Sequence, residues 1–419
     1  MGIIKKYRLQ IIITLSLFFA SLVLFSLGQN SNEGVVEVKS NTWWEVQSID
    51  TVKYSRDVAR EKLDDPSFVK VVDEQVSVIA NTGATHIAIS TPYDAEFTPF
   101  LKLWVNTARK YGLKVWFRGN FSGWEGWFNY APIGANDHME KTEQFIFSSK
   151  SLFEDGDIFT SCTECENGSL GDPRYEINVE DYRIFLIAEY NIAKNTFAKI
   201  GKTVISNYYP MNGDVARLVM DRETTDALDG VIVVDHYVGS VTQLSADIKA
   251  LGESSGGRVV LGEFGAPIPD IHGIMNEQQQ AKWVGEALSE LSKNENLIGV
   301  NYWTSYGGST QLWGSSGPRE AVNEISNYYS PDIIDARIVN ELGKPVRNAV
   351  INAGIKSGKV SKNGMFKILI IPSIYYIEVK AEGYKDRKLQ IEELDGVFEV
   401  VLEKEKESII FKLQKLLIK

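Results

Sequence analysis

Hydrophobic positions follow one repeating pattern from Val46 to Tyr329. A short apolar run rich in β-branched residues is followed by a longer run with helical spacing, and this unit occurs eight times. Strands covered on both faces lose the polar alternation of an exposed sheet, so the pattern predicts parallel strands joined by crossover helices. The predicted strands are 46–52, 85–90, 113–118, 158–163, 203–207, 230–235, 258–262 and 298–303.

The runs between the predicted strands have the spacing of amphipathic helices, each with one apolar stripe for packing on a sheet. Two such stripes are Val69, Val72, Val76, Ile79 and Ala281, Val284, Leu288, Leu291. Eight units in these 284 residues match a (β/α)8 barrel, which takes about 250 residues, better than an open doubly wound sheet. We therefore expect an α/β chain with a TIM barrel over residues 36–330.

A different pattern begins after Ser330 and Pro331. From 331 to 404, short alternating strands are separated by Gly and Asn, which predicts an all-β sandwich domain. Asn363 and Gly364 lie between two apolar runs and predict a tight hairpin turn, because both positions tolerate positive φ. Residues 405–419 place apolar side chains on one helical face, and both a membrane-surface helix and a packed terminal helix fit this stretch.

The first 28 residues have the layout of an export signal. Lys5, Lys6 and Arg8 precede an uncharged apolar run from Ile11 to Leu27, with small residues at the spacing of a cleavage site. The run also approaches the roughly 20 residues needed to span a bilayer. Both a cleaved signal and a retained membrane anchor are compatible with the sequence, and in both cases the remainder faces out of the cytoplasm.

Charge and aromatic content narrow the class of partner. The chain has 44 basic and 55 acidic side chains and a formal net charge of −11, which argues against nucleic acid, because nucleic acid requires a basic surface. Aromatic residues make up 11% of the chain, more than a core of this size needs, so some are expected to face a ligand. A sugar ligand is compatible with both the acidic net charge and the high aromatic content.

Two glutamates fall where a barrel enzyme places its chemistry. Active sites of (β/α)8 barrels lie at the C-terminal ends of the strands. Glu164 follows the fourth predicted strand and Glu263 follows the seventh. Two carboxyl groups that face each other across a cleft can cleave a glycosidic bond, one donating a proton and the other attacking, and a retaining enzyme holds them about 5 to 5.5 Å apart. Alternatively, each of these glutamates forms a structural salt bridge at the rim of the barrel and has no catalytic role.

The sequence around these glutamates carries a family resemblance. Gly262-Glu263-Phe264-Gly265 resembles the nucleophile motif of the clan A glycoside hydrolases, with family 5 cellulases and mannanases the nearest comparison. The resemblance implies that Glu263 is the nucleophile and Glu164 the acid/base. The clan usually has Asn-Glu after strand four, whereas this chain has Thr163-Glu164, which leaves Glu166 as a rival acid/base.

The same resemblance implies contacts to the sugar. It assigns a platform role to Trp303 after strand eight, and it places Tyr237 against the nucleophile, with Asp235 at the position of the clan's His. Further predicted substrate-binding residues stand at strand ends or in the loop after strand three. They are Arg118, Asn207, Tyr208, Trp124 and Trp127.

The only two cysteines, Cys162 and Cys165, flank Glu164. No metal is predicted, because structural zinc needs four ligands and the chain has no second pair, and no cofactor is predicted either. A disulfide that shapes the acid/base loop in an oxidising compartment and a pair of packed thiols are both compatible with the sequence.

The C-terminal domain resembles the carboxypeptidase regulatory-like β-sandwich family, which implies a non-catalytic spacer or adhesive unit. The motifs that carry the resemblance are Gly343-Lys344-Pro345-Val346, Ala349-Val350, Asn363-Gly364-Met365-Phe366 and Ala381-Glu382-Gly383-Tyr384.

Together these features predict a secreted or membrane-anchored, monomeric retaining glycoside hydrolase. Its expected substrate is an oligo- or polysaccharide of the glucan or mannan type with β-glycosidic bonds. The alternative is a barrel that has lost catalysis and serves as a cell-surface carbohydrate-binding or adhesion protein, which the altered strand-four and strand-six motifs also fit.

Overall fold

A computed structural model describes residues 41–393 and 398–405 of the chain. Of these residues, 41–332 with 371–373 form one compact unit, and 333–370 with the residues from 374 onward form the other. The predicted export segment at 1–28, and the predicted tail at 405–419 except its first residue, lie outside the described residues. Within the described ranges, no helix is both long enough and apolar enough to cross a membrane.

The first unit is built on a sheet of eight parallel strands in the order β4-β3-β2-β1-β8-β7-β6-β5. An isolated parallel bridge between Ile158 and Ile205 joins the other edge of β4 to the segment that leads into β5, and so closes the barrel. The strands are β1 Val46–Asp50, β2 His86–Ile89, β3 Lys114–Phe117, β4 Ile158–Phe159, β5 Pro210–Asn212, β6 Val231–Asp235, β7 Arg258–Phe264 and β8 Leu297–Tyr302.

Seven of the predicted strands overlap the observed ones, and the fifth is placed differently. The predicted strand 203–207 contributes only the bridge at Ile205, while the strand that pairs with β6 is Pro210–Asn212. The prediction was wrong because it ended the strand at the polar pair Ser206-Asn207, whereas the pairing with β6 is made further along the chain, at Pro210–Asn212. The C-terminal end of strand five is therefore Asn212.

Helices cover the outside of the barrel. They are α1 Val52–Ser55, α2 Ala59–Lys62, α3 Phe68–Ala80, α4 Thr98–Lys110, α5 Ser122–Glu125, α6 Ala135–Ser148, α7 Val179–Lys199, α8 Gly213–Val219, α9 Arg222–Ala227, α10 Val241–Ser255, α11 Pro269–His272, α12 Glu277–Leu291 and α13 Ala321–Tyr329. Short 3-10 turns occupy Ala95–Phe97, Trp127–Asn129 and Cys165–Asn167 in the loops after β2, β3 and β4, and a two-stranded ribbon, β9 Trp313–Gly314 and β10 Gly317–Pro318, follows β8.

The predicted apolar stripes form the contact between helices and barrel. Val72, Val76 and Ile79 of α3 are fully buried, whereas Val69 at the edge of its stripe is half exposed. Helix α12 begins at a capping box, in which the Asn276 side chain accepts from the backbone N–H of Gln279 and the Gln279 side chain accepts from the backbone of Asn276.

The barrel interior is filled by side chains from nearly every strand. The cluster comprises Val46, Ala88, Trp116, Ile158, Tyr208, Val231, Val233, Val260 and Ile298. Apart from Tyr208, which precedes β5, its members lie within the strands and before their last residues or, in β4, at the first residue, so the polar side chains at the C-terminal strand ends lie above a packed core.

The second unit is a sandwich of two sheets with the strand orders β14-β11-β17 and β13-β12-β15-β16. The strands are β11 Asp332–Asn340, β12 Val350–Ala353, β13 Lys356–Lys359, β14 Met365–Ile370, β15 Tyr376–Lys380, β16 Arg387–Gln390 and β17 Phe398–Leu402. One shared core draws residues from both sheets, including Ile338, Phe366, Ile351, Val379 and Val400.

The turn at Asn363 and Gly364 departs from its prediction. Gly364 has a φ of +80°, as the dipeptide suggests, but the turn joins β13 of one sheet to β14 of the other. The turn is tight, since the Gly364 N–H donates to Ser361 O at 2.9 Å and the Ser361 N–H donates to Met365 O at 2.8 Å, but the strands that it joins continue into different sheets.

Candidate active site

Glu263 lies near the C-terminal end of β7, with its side chain 18% exposed in the barrel mouth. Both carboxylate oxygens are held. Oε1 accepts from Arg118 Nη1 at 3.0 Å, and Oε2 accepts from the Tyr237 hydroxyl at 2.9 Å. The two donors come from the loops after β3 and β6, so three elements fix the orientation of one carboxylate.

Arg118 is the centre of a buried ion cluster below Glu263. Its side chain is 1% exposed, and besides Glu263 it donates to Asp50 Oδ2 at 2.8 Å and to Asp235 Oδ2 at 2.9 Å. One guanidinium thus serves three carboxylates from the ends of β1, β6 and β7. This fixed, planar set of donors suits arginine better than lysine.

The cluster is tightly enclosed. Asp235 Oδ1 is buried and has no hydrogen-bond partner among the described residues. It lies against the backbone of Gly262, where a β-carbon would collide with that oxygen and with Val233. A glycine is therefore required at this point of β7 by close approach of the β6 side chains.

Glu164 stands in the loop after β4 in an unusual backbone conformation. Its φ of 44° and ψ of 57° lie in the left-handed region, which non-glycine residues rarely adopt. The conformation is fixed by its backbone N–H, which donates to Pro210 O at 2.8 Å, and by the start of the 3-10 turn Cys165–Asn167. Such outliers persist where the surrounding structure holds them, and they concentrate at functional sites.

Glu166, the rival acid/base, is the more enclosed of the two. Its side chain accepts from the backbone N–H of Asn212 at 2.7 Å and from the Tyr182 hydroxyl at 3.1 Å, and the residue is 5% exposed. Glu164 is half-buried, and its Oε2 accepts from the Asn167 side chain at 3.1 Å. The geometry favours Glu164 as the group that reaches a ligand, with Glu166 as its buried neighbour.

The two candidate catalytic carboxyls interact electrostatically. Burial raises the pKa of Glu263 to about 7, the Arg118 charge opposes this shift, and the charge of Glu164 adds to it. The pKa of Glu164 is also raised, first by burial and then by the charge of Glu166. Because Glu263 accepts from a guanidinium and a phenol while Glu164 accepts only from an amide, a single proton on the pair belongs on Glu164.

Trp303 directly follows β8 and borders the same mouth. Its ring is half-buried and meets the Tyr237 ring edge-on, with centroids 6.3 Å apart. The Lys53 ammonium lies 5.6 Å from the centre of the indole. Glu263, Tyr237, Arg118, Asp235 and Trp303 are therefore brought together as the sequence predicts, although Arg118 and Asp235 lie buried beneath the carboxylate and not on the open rim.

Other predicted substrate-binding residues lie elsewhere. Because strand five ends at Asn212, Asn207 and Tyr208 do not close it, which corrects their predicted position. Asn207 is buried and donates to Leu228 O at 2.7 Å. The Tyr208 ring packs edge-on against Trp116 within the barrel core.

The aromatic loop after β3 is split between two environments. Trp124 is 2% exposed and stacks on Phe185 of α7 with ring centroids 5.2 Å apart, so the prediction of a rim position is corrected to a packed one. Trp127 is half-buried, and the Arg56 guanidinium lies 4.6 Å from its ring centre.

Three features of the site were missed or left open by sequence reasoning. Asp50 ends β1 and binds Arg118, and its position as a carboxylate at a strand end was a usable signal. Glu125 is half-buried beside Asn120, and nothing in the sequence pattern marks it. Cys162 and Cys165 are joined in the structure, with Cα atoms 5.3 Å apart. In the described ranges, no group of three or more His, Cys, Asp or Glu side chains is arranged to hold a metal ion.

The arrangement can perform two-carboxylate chemistry. It combines an oriented carboxylate, held by a cation and a phenol, with a second carboxyl group of raised pKa from across the barrel mouth. These are the parts of a nucleophile and a proton donor.

Comparison with known proteins adds the fold. No protein-family model and no curated protein matches the chain. GH5_18 from Streptomyces cattleya, in complex with GlcNAc, matches with a TM-score of 0.51 and 13% identity over 71% of this chain and 85% of that one. The barrel fold is shared with solved GH5 glycoside hydrolases.

Two further structures give the same result. A GH5_18 variant from Bifidobacterium longum subsp. longum, in complex with Manb1-4GlcNAc, matches with a TM-score of 0.50 and 14% identity over 72% of this chain and 84% of that one. GH5_18 from Bifidobacterium longum subsp. infantis matches with a TM-score of 0.50 and 15% identity over 72% of this chain and 84% of that one. At these identities the likeness concerns the fold alone.

Proposed function

We propose that this protein is an exported retaining glycoside hydrolase that cleaves β-glycosidic bonds in a polysaccharide of the glucan or mannan type. The observation that carries the proposal is the double support of Glu263 by Arg118 and Tyr237, opposite a second carboxyl of raised pKa. The shared fold with GH5 glycoside hydrolases supports it.

In this mechanism Glu263 attacks the anomeric carbon while Glu164 protonates the glycosidic oxygen. The charge of Arg118 lowers the pKa of Glu263 against the effect of burial and so favours the ionised form, and Tyr237 holds the other carboxylate oxygen in place. After the leaving group departs, Glu164 removes a proton from water, which then hydrolyses the glycosyl-enzyme bond. Trp303 offers an indole face to a pyranose ring.

The two ends of the chain are assigned on sequence alone. The apolar run at Ile11–Leu27 directs export and leaves the barrel outside the cytoplasm, secreted or anchored. The C-terminal sandwich acts as a carboxypeptidase regulatory-like spacer without chemistry of its own.

The test is hydrolysis of a substrate panel by the purified protein. The panel comprises β-glucans, β-mannans, chitin and, because solved neighbours carry Manb1-4GlcNAc and GlcNAc, oligosaccharides that contain N-acetylglucosamine. We expect new reducing ends from one class and none from the Glu263→Ala variant. NMR of the first product should show the β-anomer. Undiminished hydrolysis by Glu263→Ala would refute its role, and an initial α-anomer would refute retention.

A second candidate function is carbohydrate binding without catalysis. It is favoured by Thr163, whose hydroxyl donates to Arg118 O at 3.0 Å where the clan has an asparagine that contacts the sugar. Binding of a polysaccharide without release of reducing ends would support this function over hydrolysis.

A further inference from the structure

Glu125 is a third carboxyl group, close enough to Glu164 for their charges to interact, and it has no role in the mechanism above. It is the last residue of the short helix α5 in the loop after β3, and its side chain is half-buried. Oε1 accepts from Asn120 Nδ2 at 3.0 Å. In the part of the chain that the structure describes, no hydrogen-bonding group reaches Oε2.

Asn120 is itself fixed by a buried chain of polar groups. Its Oδ1 accepts from the backbone N–H of Phe121 at 2.8 Å, which identifies the oxygen end of the amide. His138 Nε2 lies 2.9 Å from the same oxygen and must therefore carry a hydrogen. His138 Nδ1 in turn lies 2.7 Å from Glu189 Oε1.

This chain supports Glu125 from inside the protein. Asn120, His138 and Glu189 are all fully buried, and they connect α7 and α6 to the loop after β3. A buried hydrogen-bonded chain of this kind rigidifies the groups it joins. A carboxylate that only makes a loop surface polar needs no such support, whereas a ligand-binding group must be held in position.

Contacts place Glu125 beside the loop that carries Glu164. Its partner Asn120 also lies 3.7 Å from Cys162 Sγ, and Cys162 precedes Glu164 by two residues in that loop. The charges that act on Glu125 are those of Glu164, Glu166 and Arg56, and Arg56 is bound to Asp57. A group beside the acid/base can reach the leaving group, because the acid/base protonates the oxygen that departs.

We infer that Glu125 is a substrate-binding residue whose free Oε2 forms a hydrogen bond with a hydroxyl of the leaving-group sugar. This inference rests on the proposed hydrolase function and assigns a determinant of leaving-group specificity.

The protonation of Glu125 sets the direction of that hydrogen bond. Burial raises its pKa to about 8, and the charges of Glu164 and Glu166 add to the shift, while Asn120 and Arg56 oppose it. Since Oε1 already accepts from Asn120, the proton resides on Oε2, which therefore donates to the sugar near neutral pH. Above about pH 8 the group becomes a carboxylate and can only accept.

Two variants and two substrates test the inference. Glu125→Gln keeps an acceptor for Asn120 and a donor in place of Oε2–H, whereas Glu125→Ala removes both. Each is compared with wild type on a tetrasaccharide of the class that the panel identifies and on the matching 4-nitrophenyl glycoside, whose leaving group has no sugar hydroxyls. The control is Glu253→Gln, at a side chain that is 61% exposed on α10.

For Glu125→Ala we expect KM for the tetrasaccharide to rise about three- to tenfold, the loss of one hydrogen bond, with little change for the aryl glycoside. Glu125→Gln should remain near wild type at pH 7. Between pH 7 and about pH 9, KM for the tetrasaccharide should rise for wild type and stay flat for Glu125→Gln. A purely structural residue would not produce that pH difference.

The opposite results are equally definite. Equal losses on both substrates, or none on either, would overturn the assignment. Calorimetric titration of the tetrasaccharide into the Glu263→Ala variant and into the Glu263→Ala/Glu125→Ala double variant measures binding without turnover. Equal affinity of these two proteins would count against the role of Glu125. Failure of the wild-type protein to hydrolyse the substrate would instead count against the proposed function. Circular dichroism of each variant confirms folding.

Discussion

Removal of the Tyr237 hydroxyl is the sharpest test of how Glu263 is prepared for attack. In Tyr237→Phe the ring and its edge-on contact with Trp303 remain, and only the 2.9 Å hydrogen bond to Glu263 Oε2 is lost. A hydrogen bond to a charged acceptor contributes about 1.5 to 3 kcal/mol. That energy corresponds to roughly one to two pKa units, or to a roughly ten- to hundredfold change in rate.

The sign follows from the direction of the interaction. The hydrogen bond from Tyr237 lowers the pKa of Glu263, so its loss raises that pKa above its value of about 7. Attack requires the ionised form, and activity is lost as pH falls through the pKa of Glu263. The acid limb of the profile should therefore move to higher pH, and kcat/KM near pH 7 should fall roughly ten- to hundredfold.

Initial rates on a chromogenic glycoside from about pH 5 to about pH 9 measure both effects. The matched control is Tyr111→Phe, because the Tyr111 hydroxyl makes a similar bond of 3.0 Å to Asp73 just after α4, outside the barrel mouth. It should leave the profile unchanged. If Tyr237→Phe kept the wild-type acid limb and rate, the hydroxyl would have no part in activating Glu263.

Three stability predictions follow from features outside direct substrate contact. Arg118→Met leaves three carboxylates without their buried cation and should lower the free energy of unfolding in urea by about 3 to 5 kcal/mol. The matched control is Arg258→Met, at an exposed ion pair with Glu45, which should lower it by no more than about 1 kcal/mol. Similar unfolding midpoints for the two variants would contradict the role of the cluster. Replacement of both Cys162 and Cys165 by Ser should lower stability by about 2 kcal/mol, as expected for so short a loop, and an effect of reducing agent on wild type but not on this variant checks that the bond is responsible. Asn276→Ala should cost about 1 kcal/mol at the start of α12, with Asn276→Ser near wild type.

The barrel was predictable because its signal is local. Runs buried on both faces and helices with one apolar stripe can be recognised without knowledge of their neighbours. Strand five shows the limit. Its pairing is divided between Ile205, which bridges β4, and Pro210–Asn212, which pairs with β6. Only the closing of the barrel decides which part of this segment pairs with which neighbour.

The site was predictable where a motif fixes a residue at a strand end, as for Glu263. It was not predictable where the role depends on contacts across the fold. The sequence predicts Arg118 to lie on the rim. Its partners Asp50 and Asp235 are 68 and 117 positions away in the chain, and the ion pairs with them hold its side chain in the interior. The sequence likewise predicts Trp124 to be a loop aromatic at the rim, but in the structure it packs on Phe185 of α7.

The close approach of Gly262 to Asp235 also constrains how this chain can be altered. Because a methyl group at 262 would occupy the space of Asp235 Oδ1, the two positions cannot be randomised independently in a mutant library. A larger residue at 262 needs smaller residues at both 235 and 233, and the change at 235 would remove one of the three partners of Arg118. Redesign of this barrel for other substrates should therefore change the loops first and leave the paired strands β6 and β7 unaltered.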